Sequence, residues 1–194
     1  MEVTDDLVHG NQEQAFFNTY YGGGGSAPLY VFCGKHLLAA KLRPANVDPA
    51  GGALKELQRI IKQIRKRWFK TQILVRGDSA YSREDIMTWC ESQGIDYIFG
   101  LASNSRLMRM SGATQEKALA EYLQLKEPVT WYRSLWYKTL DSWSRFRRVV
   151  AKVAYGPEGF QLRFVVTSLP ARRVPQEPGL HSALLSPRRD GKPI

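Results

Sequence analysis

Apolar residues are spread unevenly along this chain, and their spacing predicts an ordered succession of elements. From Leu29 the two runs LYVFC and HLLAAKL flank Gly34 and Lys35, and the first is rich in β-branched and aromatic residues. That pattern predicts a β-hairpin. Leu54, Leu57, Ile61, Ile64 and Trp68 then recur at helical spacing, with Lys55, Arg59, Lys62, Arg65 and Lys66 at other positions, which predicts an amphipathic helix. TQILVRG, ending at Gly77, reads as a short buried strand. Ser82 followed by Asp85 approximates a capping box, and Ile86, Trp89 and Cys90 supply the stripe of a helix that stops at Gly94. IDYIFGL is the following strand, and a further helix is predicted over 114–126, stopped by Pro128.

Beyond Pro128, VTWYRSLWYKTL, SRFRRVVAKVAY and FQLRFVVTSL are rich in aromatic and β-branched residues, and GPEG joins the last two. A β-meander over 129–168 is expected. Residues 1–28 are polar with four consecutive glycines and are predicted to be loop, and the proline-rich tail 171–194 is predicted to be disordered. The fold class is therefore α/β, with a β-α-β unit whose first strand ends at Gly77. Asp78 then lies at the carboxyl end of a strand, the edge of such sheets where ligands bind.

Charge narrows the partners. The 28 Lys and Arg residues against 18 Asp and Glu give a formal charge of +10, which makes a polyanion the natural partner and nucleic acid the first choice. No apolar run approaches the roughly 20 residues of a spanning helix, and the acidic, polar start is unlike a signal peptide, so a cytoplasmic protein is expected. Cys33 and Cys90 form no metal pattern and are expected to be small core residues, while His9, His36 and His181 are too scattered for a zinc site. On the helix over 54–68 the basic residues are either a solvated face or phosphate contacts. In the meander, Arg133, Lys138, Arg145, Arg147, Arg148, Lys152 and Arg163 interleave with Trp131, Tyr132, Trp136, Tyr137, Trp143 and Phe146. Such alternation suits a nucleic-acid surface, and equally a sheet with a ring-filled core face and a charged wet face.

Asp78 supplies one hard oxygen ligand, and Glu2, Asp5 and Asp6 supply further carboxylates near the N-terminus. A two-metal phosphoryl-transfer site needs several such groups around Mg²⁺. From the residues alone, capping at Asp78 stands beside catalysis.

The segments TDDLVHGNQE (4–13), LRPANVDPAGGA (42–53), RGDSAYSREDIMTWCE (76–91) and IDYIFGLASNSRL (95–107) together resemble the group-1 DDE domain of bacterial insertion-sequence transposases, over roughly residues 1–175. The resemblance implies an RNase H-like mixed sheet with flanking helices, the meander at 129–168 being a β-rich insertion within a partial catalytic domain over 1–170. It implies Mg²⁺ or Mn²⁺ held by two Asp and one Glu, and cleavage and strand transfer at the transposon ends of double-stranded DNA, carried out by a homodimer. Asp78 matches the second Asp of the triad. Glu2 stands where the family pattern has its first Asp, with Asp5 close by, and these three residues are the expected metal and catalytic set. Lys62, Arg65, Arg145, Arg147 and Arg148 are the expected DNA contacts.

Two departures lead to the expectation of an inactive copy. By comparison with the family pattern, Met1 is expected to truncate the central strand that ends at the first carboxylate, and SPRRDGKPI stands where the helix bearing the third carboxylate is expected. The codons permitted for Ser186 to Ile194 include a string that, read one nucleotide later, encodes Ala-Arg-Gly-Glu-Met-Glu-Asn-Arg, a motif similar to the family's. A frameshift near Arg173 to Pro178 is therefore expected. The alternative to a transposase is a non-enzymatic basic module that binds nucleic acid.

Overall fold

The structure, a computed structural model, describes residues 1–3, 6–7, 16–18, 23–26, 28–44 and 48–171, those between 2 and 26 as strand backbone. The chain forms two compact units, Met1–Tyr81 and Ser82–Ile194. The class is α/β, as the sequence pattern requires, with three α-helices and a mixture of short and long strands among the described residues.

In the first unit, β1 (Glu2–Val3) pairs antiparallel with β5 (Leu29–Cys33), which pairs in turn with β6 (His36–Lys41). The predicted hairpin is present, and Gly34–Lys35 form its turn. Cys33 is exposed rather than a core residue, because the strand's buried positions are Leu29 and Val31 and the alternation is broken by an irregularity after Val31. The glycine-rich N-terminal stretch is more regular than expected. β4 (Gly23–Ser26) lies between β2 (Asp6–Leu7) and β3 (Phe16–Asn18) in a second three-stranded sheet. Glycine is poor in strands for lack of a side chain to pack, but its backbone can extend, and two flanking strands satisfy its hydrogen bonds.

The described residues 48–52 lead by a turn into α1 (Ala53–Arg67). The buried Arg43 donates from Nη1 to the carbonyls of Pro49 and Gly51 at 2.8 and 2.9 Å. Gly52, the residue before the helix, sits at φ 75°, and a Cβ on Gly51 would meet the Asp48 carbonyl oxygen at 2.9 Å, so neither position suits a larger residue. Along α1, Ala53, Leu57, Ile60 and Ile61 are buried, while Lys55, Arg59 and Lys62 face water. Trp68 departs from the expected stripe: it follows the last helical residue and is exposed. β7 (Leu74–Gly77) ends the unit's regular strands, with Val75 its buried residue and Leu74 exposed, so it is less buried than its composition predicts.

In the second unit, α2 (Glu84–Ser92) buries Ile86, Met87 and Cys90. The capping box does not form. Arg83 is the residue before the helix and no side chain caps it. At the other end Ile95 N–H donates to Cys90 O at 2.9 Å, closing the helix around Gly94. After β8 (Asp96–Leu101), α3 runs from Ser105 to Leu125, nine residues earlier than expected at its start. Its true start is marked by Asn104, whose side chain accepts the Leu107 N–H at 3.0 Å. The buried face of α3 is Leu107, Ser111, Thr114 and Ala118. Such a largely small and polar stripe lacks the apolar periodicity from which a helix is read.

β9 (Val129–Tyr137), β10 (Arg147–Gly156) and β11 (Gly159–Thr167) form the expected meander. It is continuous with the rest of the unit, because β11 also pairs antiparallel with β8, giving the order β8-β11-β10-β9. One face carries Val129, Leu135, Val149, Val153 and Val166, and Val129 and Val153 pack on Ala118 of α3. The other carries Ile98, Val150 and Val165, edged by Tyr132.

Candidate functional site

Asp78 follows β7 directly, and the chain turns at once into a 3-10 turn at Ser79–Tyr81. The turn is held from below by the fully buried Tyr81. The Asp78 carboxylate fixes it from above: Ala80 N–H donates to Asp78 Oδ1 at 2.7 Å, and Tyr81 N–H donates to the Asp78 backbone oxygen at 3.3 Å. Asp78 is exposed, and among the described residues no Lys or Arg pairs with it and no donor reaches its Oδ2. The capping role and an open metal-type oxygen therefore coexist on one side chain, one oxygen for each.

The N-terminus of the chain lies close by. The Met1 amine donates to the Arg76 carbonyl at 2.6 Å, which sets the start of β1 beside the end of β7, two residues short of Asp78. The backbone of Glu2 is thus next to this edge, at the register position opposite Tyr30. Asp5 lies outside the described residues. Among the described residues no group of three His, Cys, Asp or Glu side chains comes together. Tested for a divalent cation, Asp78 fits as one ligand: it is an exposed carboxylate with one uncommitted oxygen and, among the described residues, no Lys or Arg paired with it, the donor chemistry that Mg²⁺ and Mn²⁺ take.

The expected DNA contacts divide by burial. Lys62 is exposed on α1, and Arg65 donates from Nη1 to Phe69 O at 2.7 Å, fastening the turn after that helix. Arg145 is exposed and pairs with Glu91 at 3.0 Å. Arg148 is half-buried, giving Nη1 to Leu169 O at 2.8 Å and Nη2 to Ser134 Oγ at 2.9 Å, and its burial lowers its pKa.

Arg147 has to be withdrawn from the surface altogether, since it is 3% exposed. Its Nη1 donates to Glu84 Oε2 at 2.6 Å, its Nε to Glu91 Oε1 at 2.7 Å, and its Nη2 to Thr88 Oγ1 at 2.9 Å. The ring of Trp143 lies 5.6 Å from the guanidinium carbon, and Tyr97 O–H donates to Glu91 Oε1 at 2.7 Å. Burial pushes the Glu84 carboxyl up, but hydrogen bonds from Arg147, Ser144 and Thr88 outweigh it and hold the group down at about 2. Glu91 is likewise lowered, against burial, by Arg147 and Tyr97, and the paired carboxylates raise the pKa of Arg147. A planar, bidentate fork between two carboxylates cannot also serve a phosphate. The signal for this network was Glu84, Thr88 and Glu91 on one face of α2, but their partner Arg147 is 56 to 63 residues further on and no local spacing reveals it.

The meander's aromatics divide in the same way. Tyr137 and Trp143 are buried and meet edge to face with centroids 5.7 Å apart, whereas Trp131, Trp136 and Phe146 are exposed. The core-face reading of the interleaved pattern therefore holds for Tyr137 and Trp143, while Trp131, Trp136 and Phe146 lie outside the core.

No helix among the described residues is long and apolar enough to cross a membrane. A family model described as "Transposase DDE domain group 1" matches residues 1–181. No curated protein and no solved structure matches the chain.

Proposed function

The chain belongs to the transposase DDE domain group 1 family, and from that membership we propose that it is a DNA transposase domain descended from enzymes that cleave and join phosphodiesters at transposon ends with a divalent metal ion, Mg²⁺ or Mn²⁺, in a copy that has lost that activity. The observation that carries the reading is the open Oδ2 of Asp78 at the end of β7, beside the backbone start of β1.

Asp78, Glu2 and Asp5 are the residues proposed to hold the metal. When bound, a divalent ion neutralises phosphate charge and lowers the pKa of an attacking water or hydroxyl. The chain's own contribution is positional. The Ala80 N–H fixes one oxygen of Asp78 and so sets the direction of the other, and the buried Tyr81 keeps the turn in place. Exposure at this edge leaves room for a polynucleotide; Lys62 and Arg65 of the first unit, and Arg145 and Arg148 of the second, are each proposed to add phosphate contacts. Double-stranded DNA is the substrate in this reading, the cytoplasm the compartment and a homodimer the working form. Glu2 in place of the family's Asp contributes to that loss, because one extra methylene displaces a ligand in a geometry that tolerates little error.

Iron-mediated cleavage of the polypeptide tests the metal site without requiring activity. Fe²⁺ with ascorbate and peroxide is expected to cut the backbone near residues 76–80 and near Met1–Val3, with Mg²⁺ protecting and Asp78→Asn removing both cuts. Cuts elsewhere only would sink the assignment. The second reading, a basic DNA-binding module without chemistry, is favoured by the capping bond that Asp78 already makes. It requires that Asp78→Asn leave both metal and DNA binding as they are.

A further inference from the structure

The segment that closes α1 reads IRKRWFK, and its two aromatic residues have no place in the core. The buried stripe of the helix would bring Trp68 inward if the helix continued. It stops at Arg67, and Trp68 turns out of helical conformation at φ −131°, ψ 73°. Trp68 is 61% exposed and Phe69 is 70% exposed. The turn is nonetheless fixed: Trp68 N–H donates to Ile64 O at 2.8 Å, and Arg65 Nη1 donates to Phe69 O at 2.7 Å. Lys70 Nζ stands 5.5 Å from the centre of the Phe69 ring. Lys62, Lys66, Arg67 and Lys70 are exposed on the same stretch of chain as the two rings, and no acidic residue occurs between Glu56 and Asp78.

We propose that this turn is a stacking contact for unpaired bases of a DNA strand, with Trp68 and Phe69 receiving bases while Lys62, Lys66 and Arg67 meet the adjoining phosphates. The proposal rests on the reading of the chain as a DNA-processing protein and adds to it a preference for strands with free base faces. Every base has a π-face, so stacking on an aromatic ring tolerates any sequence, whereas bases within a duplex are already stacked on one another. Cations at this spacing add affinity that falls with salt. An anionic membrane surface is the rival for a basic segment bearing Trp and Phe. It is the weaker match, because the apolar face of α1 is turned inward, leaving the two rings alone for insertion.

The test uses the full chain and three probes: a paired duplex, the same duplex with a single-stranded 3′ overhang, and vesicles of anionic lipid. Trp68→Ala is expected to weaken binding to the overhang about tenfold and to the paired duplex less than about twofold, while Trp68→Phe keeps most of the preference. Lys66→Ala and Arg67→Ala are expected to weaken both DNA probes and to flatten the salt dependence. Equal loss on both DNA probes, no loss on either, or a Trp68-dependent affinity for vesicles alone overturns the stacking contact. Should Trp68→Ala fail to fold, ultraviolet crosslinking of a halogenated uracil in the overhang to the unmutated chain replaces it. A crosslink to Trp68 or Phe69 supports the contact, and crosslinks confined to other segments overturn it. Failure of the unmutated chain to bind any DNA removes the DNA-processing reading and this inference together. DNA binding that the Lys66 and Arg67 variants weaken, but that Trp68→Ala does not redistribute, removes this inference alone.

Discussion

Arg147 Nη1 and Glu84 Oε2 stand 2.6 Å apart, and the same guanidinium reaches Glu91 at 2.7 Å. One residue of β10 thus grips both ends of the exposed-to-buried margin of α2. Removing a single member of a buried pair costs more than the pair contributes, because the remaining charges stay desolvated without a partner. Arg147→Met is expected to lower the unfolding free energy by about 3–5 kcal/mol, read from the urea midpoint. A midpoint within error of the unmutated chain would mean that the network is ornamental to stability.

The same network fixes the sign of an acid dependence. Glu84 is held down at about 2 from an ordinary value of 4.5, and Glu91 is lowered as well. A carboxyl whose folded pKa is depressed contributes stability that is complete above its unfolded pKa and is lost as pH falls through the folded one. Stability is therefore expected to be flat on this account above about pH 4.5 and to fall between there and about pH 2. Thermal melts across that window check it. In Arg147→Met the fall should be shallower.

At the proposed metal edge, Glu2→Asp restores the shorter carboxylate of the family pattern. Tighter Mn²⁺ binding is expected, because the shorter carboxylate sits where the family's geometry places it, while this change alone leaves nicking of end DNA unrestored. Titration of Mn²⁺ by electron paramagnetic resonance measures the first and a nicking assay the second. Unchanged Mn²⁺ affinity would take Glu2 out of the site.

DNA binding should be sensitive to ionic strength and indifferent to sequence. Lys62→Ala and Arg145→Ala are each expected to reduce the slope of log K against log salt by about 0.9, while Glu84→Gln, which alters the buried network, should leave the slope unchanged. Anisotropy titrations at several salt concentrations measure the slopes. Identical slopes for Lys62→Ala and the unmutated chain would show that the exposed face of α1 is only solvated.

Gly52 at φ 75° before α1 gives a local test of the fold. Gly52→Ala places a Cβ in the left-handed region and should destabilise by about 1–2 kcal/mol, seen as a lower urea midpoint with an unchanged slope.

Elements whose hydrophobic pattern is local were legible in the chain. The hairpin around Gly34, the helix over Ala53–Arg67, the β8 strand and the 129–167 meander follow from spacing that each segment carries by itself. The place of Asp78 at a strand end was legible for the same reason. The predicted disorder of residues 172–194 and the fate of Asp5 lie outside the described residues. Elements stabilised by neighbours were not legible. β4 is a run of glycines made strand by the two strands beside it, and α3 starts with a helical face of Leu107, Ser111 and Thr114 that becomes meaningful once the sheet lies against it.

The candidate site divides along the same line. Sequence by itself determined the family, the α/β class, the excess of positive charge and the strand-end carboxylate, because residue identity and short-range periodicity are enough for each. Tertiary structure alone decided which cations face water and which rings stay outside. Arg145, Arg147 and Arg148 are near-neighbours in sequence, yet one is exposed, one is locked between Glu84 and Glu91, and one is tied to Ser134 and Leu169. Trp143 is buried and Trp68 is open to solvent. Desolvation and hydrogen bonding depend on what long-range contacts bring alongside a residue, and that partner is fixed by the fold of the whole unit rather than by the residue's own neighbours.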